Sequence, residues 1–306
     1  MRRHSRAGFL VYVSYGEGRH VAQLFFSVLS ALRFRSGRAN SVPRIAVYTD
    51  RPETYRDLPV ERYGVSDAQL RSWRGELRFD HVIKLEVLRV ALAHHGVPCI
   101  FVDADTYFRG NPHRLLGRVR RGRSVLHIRE CGLGEVDTPS QEDLARGAIA
   151  GRFHDLAGRP VTMERGFPLW NAGVIGVDPA DSHLLSEAIN LTPQIYERTQ
   201  SHVSEQLAIS YFLARHTRLR AASDTVYHYW HAYAGPHALP GESQWAKRVP
   251  ELLEDTASLP AEQRGRELFK HAYRAPFWGG GGRFESRMWP LLVAMERREP
   301  RVRRST

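Results

Sequence analysis

The chain opens on an apolar run, Gly8 to Tyr15, rich in valine and aromatic residues. Gly16-Glu17-Gly18 interrupts it, and apolar positions then recur at helical spacing from Val21 to Leu32. A strand, a turn and a helix are predicted there. Pro43 to Asp50 reads as a second strand, stopped by Thr49-Asp50-Arg51-Pro52. Between His81 and His95, apolar Val82, Leu85, Leu88, Val90 and Leu92 fall at mixed three- and four-residue intervals, and Gly96 and Pro98 end that helix. Cys99-Ile100-Phe101-Val102 has no polar position, which predicts a strand covered on both faces at the centre of a sheet. Ser124 to Arg129, Gly173 to Val177 and Thr225 to Trp230 read as further strands, Ser182 to Ile189 and Val203 to Leu213 as helices. Strands alternating with helices predict an α/β fold of one domain, doubly wound near the N-terminus and looser afterwards.

Composition adds limits. With 306 residues, 42% hydrophobic and 25% charged, the chain can bury a core and is neither a disordered tail nor a fibre. No apolar stretch approaches the roughly 18 residues of a membrane span, and Phe9 to Val13 is shorter than the apolar part of a secretory signal. A soluble, cytoplasmic chain is expected. Two cysteines, Cys99 and Cys131, make neither a disulfide framework nor a zinc knuckle.

Basic residues number 44 against 33 acidic ones, a net charge of +11, and all but Lys84, Lys247 and Lys270 of the basic ones are arginine. Guanidinium forks suit phosphate-bearing substrates, anionic lipid or nucleic acid; an even spread along the chain fits a compositional bias equally well. Arginines cluster only at Arg118 to Arg123 and in the tail Arg297 to Arg304. No recognition helix or RNA-binding signature accompanies them, so no specific nucleic acid is expected, whereas an anionic membrane surface stays open as a partner, with a peripheral position at the inner membrane surface.

The central apolar strand runs straight into Asp103-Ala104-Asp105. Ligands of open α/β sheets sit beyond the carboxyl ends of the strands, and residues i and i+2 of an extended backbone point the same way. Two carboxylates converging in that place suit Mg²⁺ or Mn²⁺ with coordination positions left for phosphates. Taken alone, the same residues also read as turn aspartates capping the next helix.

The sequence Phe101-Val102-Asp103-Ala104-Asp105-Thr106-Tyr107-Phe108, followed by Asn111-Pro112 and Leu115, resembles the apolar strand, Asp-x-Asp motif and continuation of the metal-dependent GT-A glycosyltransferases, which use nucleotide sugars. Trp170-Asn171-Ala172-Gly173-Val174-Ile175-Gly176-Val177-Asp178-Pro179 is similar to that family's strand lining the sugar pocket, and Ser204-Glu205-Gln206 to its acidic-Gln pair. The blocks come in the family's order and, with the first two strands, the resemblance spans roughly residues 9 to 231. It implies a GT-A-like mixed sheet flanked by helices, with a nucleotide-sugar-binding half at about 9–130, an acceptor-side half at about 131–290 and a basic tail at 291–306. It also implies transfer of a sugar from a nucleoside-diphosphate sugar, a UDP-sugar above others, to a glycan, lipid-linked or small-molecule acceptor. Asp105 would hold the metal and Asp103 the metal and the ribose. A late third ligand is implied, His228 or its rival His231 in Tyr227-His228-Tyr229-Trp230-His231. The Gly and Lys-Pro-Trp that follow this His in the glycogenin-like retaining branch are absent; Ala232-Tyr233-Ala234-Gly235-Pro236 stands there.

Lys84, four residues after Asp80, and Arg78 resemble the family's basic position beside the diphosphate, although a surface salt bridge explains Lys84 equally well. Tyr12, Ser14 and Tyr15 at the end of the first strand and Tyr48, Thr49 and Asp50 at the end of the second are candidates to surround the base. Glu205 reads either as the carboxylate base of an inverting enzyme or as a group on the leaving side of a retaining one. Asn171 and Gln206, neutral amides suited to sugar hydroxyls, tilt the reading toward retention. A haloacid-dehalogenase-like phosphatase using Asp103 and Asp105, and a basic binding protein without catalysis, are the alternatives. A Rossmann enzyme fits poorly, because Val21 stands at the third glycine position of the turn and no acidic residue follows about 20 positions on. Phe277-Trp278-Gly279-Gly280-Gly281-Gly282-Arg283-Phe284 is either a hinged lid or a plain surface connection.

Overall fold

Alternation of apolar residues along Phe9–Ser14 puts Phe9 and Val11 on one face and Leu10 and Tyr12 on the other, and both faces are buried. A strand covered on both sides needs helices on both sides, and the chain supplies them. The structure, a computed structural model, describes residues 8–34, 43–135, 139–229, 251–252, 254–260 and 262–267.

The first half runs β1 (Phe9–Ser14), α1 (Arg19–Leu32), β2 (Arg44–Thr49), β3 (Glu61–Gly64), α2 (Asp67–Arg74), α3 (Ile83–His95), β4 (Cys99–Val102), β5 (Thr106–Phe108), α4 (Pro112–Leu116), β6 (Val125–Leu126) and β7 (Arg129–Gly132). It continues with α5 (Pro139–Ala150), β8 (Phe153–His154), β9 (Pro160–Val161), β10 (Pro168–Trp170), β11 (Val174–Val177), α6 (His183–Thr199), α7 (Ser204–His216), β12 (Arg220–Ala221) and β13 (Val226–His228).

Among the described residues seven strands form the main sheet, in the order β12-β6-β11-β4-β1-β2-β3. All neighbours are parallel except β11, which runs antiparallel to both β4 and β6. The fold is therefore mixed α/β, a mostly parallel sheet flanked by helices. One face of β1 packs with α2, α3, α6 and α7, the other with α1 and α4. Strands β11 and β12, from the second half of the chain, complete the sheet begun by the first.

Helix ends follow local chemistry. Ser66 caps α2 by accepting from the Gln69 amide, Asn111 caps α4 by accepting from the His113 amide, and Gly96 closes α3 in the left-handed conformation. The predicted helix at His81 begins with a single 3₁₀ turn, Asp80–Val82, before α3. The strand expected over Ser124–Arg129 is broken in two. His127 and Ile128 exchange backbone hydrogen bonds with Asn171, and the chain then leaves the main sheet so that β7 pairs with β10. Among the described residues no helix is long and apolar enough to cross a membrane. Both cysteines are free, and burial pushes the Cys99 thiol up to about 12, so it is packing rather than a nucleophile.

Candidate metal centre

Strand order reverses between β1 and β4, and the crevice beyond their carboxyl ends is where an open α/β sheet offers space. A cleft of about 390 Å³ lies there, lined by Ser14 and Tyr15 from the end of β1, Arg19 and His20 from the start of α1, Lys84 from α3, and Asp103 to Asp105 beyond β4.

Three strand pairings bring the rest of the chain to this point. β11 is antiparallel to β4, so its beginning meets the end of β4: Val174 pairs with Val102, and the Asp103 amide donates to the Gly173 carbonyl at 2.8 Å. β13 is antiparallel to β5 with His228 opposite Thr106, and the Tyr229 amide donates to the Asp105 carbonyl at 3.1 Å. The start of α7 closes the site, where the Gln206 Oε1 accepts from the Ala172 amide at 3.1 Å.

Asp103, Asp105 and His228 converge as a result, each offering a ligand atom within 4.8 Å of the others. His228 Nε2 lies 3.2 Å from Asp105 Oδ1 and 3.9 Å from Asp103 Oδ2. Two hard carboxylates and one imidazole suit Mn²⁺ and, with more retained water, Mg²⁺. The tautomer is set from behind. The Gly173 amide must donate to Asn171 Oδ1, at 2.9 Å, which fixes the way the Asn171 amide faces. That same oxygen sits 2.8 Å from His228 Nδ1, so Nδ1 carries a proton; Nε2 faces the carboxylates, protonated when it pairs with them and, once that proton leaves, with a lone pair aimed where a metal would sit.

Electrostatics support a cationic guest. Burial opposes charge on His228, yet Asp105 and Asp103 outweigh it and raise its pKa above the ordinary histidine value. Burial likewise opposes ionisation of Asp105, and His228 and Lys84 outweigh it, so that its pKa is lowered. Behind His228, at a ring separation of 5.5 Å, His127 is held neutral by burial and by the His228 charge, its pKa near 3.

Lys84 is not a surface residue. Its ammonium lies 3.0 Å from Asp103 Oδ2 and 3.7 Å from Glu205 Oε1, inside the protein, and despite the cost of burial these carboxylates raise its pKa. Asp80, the neighbour that a helix-surface pair would use, pairs with Arg74 instead. Glu205 is almost fully buried and, among the described residues, its Oε2 has no hydrogen-bond partner.

Several residues expected around a base lie elsewhere. Tyr12 is a correction: it faces α1 in the core, hydrogen-bonded to Ser27 at 3.1 Å, because it points to the side of β1 that packs on that helix. Tyr48 stacks on Tyr63 with centroids 4.9 Å apart, and Thr49 Oγ1 accepts from the Arg51 amide. Asp50 accepts from the Gly16 amide at 2.9 Å and so holds the turn between β1 and α1, next to the cleft rather than among its lining residues. Ser14 is buried, accepting from the Tyr55 hydroxyl at 2.6 Å, and reaches the cleft only at the end of β1. Arg78 is exposed beyond α2 with a positive φ of 51° and does not line the cleft. His231, the Gly279 to Gly282 segment and the basic tail lie outside the described residues.

Glu130, on β7, is a residue the sequence did not single out. Its two oxygens accept from Asn171 Nδ2 and from Gln206 Nε2, each at 2.8 Å, and so join the two predicted amides into one network. A single exposed glutamate in an arginine-rich stretch carries no local pattern, and only the β7–β10 pairing brings it here.

Gly173 is the closest backbone approach in the site. A Cβ there would lie 2.2 Å from His228 Nδ1, backed by Asn171. Gly173→Ala is expected to displace the imidazole and weaken Mn²⁺ binding by on the order of 10- to 100-fold, the range found for disturbing the groups that orient a metal ligand. Calorimetric titration with Mn²⁺ checks it, and an unchanged affinity would remove His228 from the ligand set.

No protein-family model matches the chain, and no curated protein is significantly similar to it.

Proposed function

We propose that the chain is a metal-dependent glycosyltransferase of the GT-A type, moving a sugar from a nucleoside-diphosphate sugar, foremost a UDP-sugar, to an acceptor hydroxyl. The observation that carries this reading is the convergence of Asp103, Asp105 and His228 at the carboxyl end of the central strand, with Lys84 buried against two carboxylates beside it.

Asp103, Asp105 and His228 would hold Mn²⁺ or Mg²⁺. Bound there, the ion supplies Lewis-acid neutralisation of the charge that builds on a departing diphosphate. The chain's own groups do the rest. Lys84 adds a fixed positive charge at the same edge of the cleft, and Arg19 and His20 line the side where phosphates would enter from the α1 end. Tyr15 and Ser14 bound the nucleotide side. Asn171, Gln206 and Glu130 form a ready set of hydrogen-bonding groups for sugar hydroxyls on the other side. Retention at the anomeric carbon is the better fit, because the Glu205 carboxylate faces Lys84 inside the protein and is not free to take a proton from an acceptor.

A thermal-shift screen of UDP- and GDP-sugars with and without Mn²⁺ tests the reading. A matched donor at a hundredfold excess over its Kd stabilises the native state by about 2.7 kcal/mol. A panel that produces no Mn²⁺-dependent shift for any nucleotide sugar would sink the proposal.

Proton and cation compete for His228, which gives the site a pH signature. The imidazolium paired with Asp105 and Asp103 stabilises the metal-free protein fully below the ordinary histidine value of 6.5, and this contribution is lost as pH rises through the raised value. A metal needs the neutral ring. The rise in Tm caused by Mn²⁺ is therefore expected to grow with pH across that interval and then level off. A rise that is constant, or that shrinks with increasing pH, would exclude His228 as a ligand.

A further inference from the structure

Four arginines meet at the edge of the main sheet farthest from β3. Arg120 and Arg123 face each other across a tight turn in which each donates its amide to the other's carbonyl. β12 pairs in parallel with β6, Arg220 opposite Val125, and the amides of Arg218 and Arg220 donate to the carbonyls of Gly122 and Ser124. That register sets Arg218 beside Arg123 and places Arg220 two residues on, with its side chain on the same side of the strand. Arg120, Arg218 and Arg220 are exposed and Arg123 is partly so.

Acidic groups nearby are already committed. Asp224 pairs with Arg118, and Asp181 accepts from the Gly122 amide at 2.7 Å. Among the described residues no carboxylate forms an ion pair with Arg120, Arg123, Arg218 or Arg220. Loss of hydration and the charges of Arg120, Arg218 and Arg220 lower the Arg123 pKa, the direction expected when like charges crowd one another.

We propose that this arginine cluster is a docking surface for the phosphate-rich face of an anionic lipid bilayer. The four guanidiniums come from two separate segments and repel one another, a cost that a dense array of phosphates offsets. A charged sheet edge also discourages strand-to-strand pairing. Nucleic acid is the poorer occupant: the patch presents a two-residue edge strand and a turn rather than a helix for a groove, and neither of its segments, 118–123 and 217–221, carries an aromatic residue for base stacking. β6 and β12 run parallel to β4, so these residues, at their beginnings, lie at the opposite end of the sheet from Asp103. Docking through them would leave the cleft open, and the inference stands independently of what the cleft binds.

Co-sedimentation of the full chain with phosphatidylcholine vesicles containing about 30% phosphatidylglycerol is the test, with pure phosphatidylcholine vesicles as reference. Binding to the anionic vesicles is expected, weakened by salt. Each arginine near such a surface is worth roughly fivefold in partitioning, so the variant Arg120→Gln/Arg123→Gln/Arg218→Gln/Arg220→Gln should lose on the order of 100-fold or more. A control with the same change in net charge, Arg56→Gln/Arg71→Gln/Arg146→Gln/Arg152→Gln, should lose far less. The pair Arg218→Gln/Arg220→Gln, with an intermediate loss, covers the case in which the fourfold variant does not fold. Equal losses in patch and control variants would overturn the proposal. So would a patch variant that binds vesicles like the parent but self-associates, since the arginines would then guard the sheet edge. Retention of an RNA or DNA duplex without vesicle binding would overturn it as well.

Discussion

Asp105→Ala is expected to abolish the Mn²⁺-dependent rise in Tm and to lower the proposed sugar transfer by on the order of 10²- to 10³-fold, the scale on which removing one electrostatic stabiliser slows a reaction. Folding should survive. The Asp105 side chain is 26% exposed, and the hydrogen bond that ties this segment to the end of β13 uses its backbone carbonyl, which alanine retains. The variant has a second consequence at His228: without the carboxylate 3.2 Å from Nε2, burial dominates and the imidazole stays neutral at lower pH. Asp105→Asn separates charge from shape, because an amide fills the same space and offers an oxygen but cannot neutralise a dication. It should keep a circular dichroism spectrum like that of the parent and still lose most of the Mn²⁺ effect. If both variants kept the Mn²⁺-induced shift, the cation would bind elsewhere and the assignment of this site would fall.

Lys84→Met tests the other half of the centre and should act on stability. The substitution preserves the stem of the side chain and removes its charge, leaving the deeply buried Glu205 without its ion-pair partner and Asp103 with His228 alone. Breaking a buried ion pair from one side costs about 3–5 kcal/mol, which for a chain of this size corresponds to a fall in Tm on the order of 10 °C. The mechanism predicts partial rescue. In Lys84→Met/Glu205→Gln the stranded carboxylate is gone, and the double variant should be more stable than Lys84→Met alone, a non-additivity expected of groups in contact. A Tm for Lys84→Met within a degree of the parent would show that the lysine is not part of the buried charge network.

Much of the fold was written in local patterns. The apolar runs Phe9–Ser14, Arg44–Thr49, Cys99–Val102 and Val174–Val177 are strands of the main sheet, and the 3.6-residue spacing after Gly18 and before Gly96 marks α1 and α3. Each of these signals depends on residues a few positions apart, within reach of one element's own periodicity. Short strands were less legible. β3, β5, β7 and β10 have three or four residues each, too few for alternation to stand out, and β6 stops after Leu126 because the next residues bond to Asn171, more than forty positions away.

The candidate site divides along the same line. Asp103 and Asp105 are two residues apart, so their nearness beyond an apolar strand could be read directly, but β4 ends at Val102 and the chain bends at Ala104 and Asp105, so extended alternation is not what brings them together. Tyr12 and Ser14 show the limit of that reading: alternation assigned them one side of β1, but which side was core depended on where α1 packed, and α1 covers Tyr12.

Local pattern was enough to show which segments extend, which coil, and that two carboxylates follow the central strand, because those properties depend on side-chain periodicity and on residues close together in the chain. Long-range packing brings His228, 123 residues from Asp105, to complete the group, buries Lys84 against Asp103 and Glu205, and sets Glu130 to accept from Asn171 and Gln206. Those contacts are set by strand register and helix packing across the whole chain, and the free energy that selects them comes from burying the two faces of one sheet rather than from any short stretch of residues.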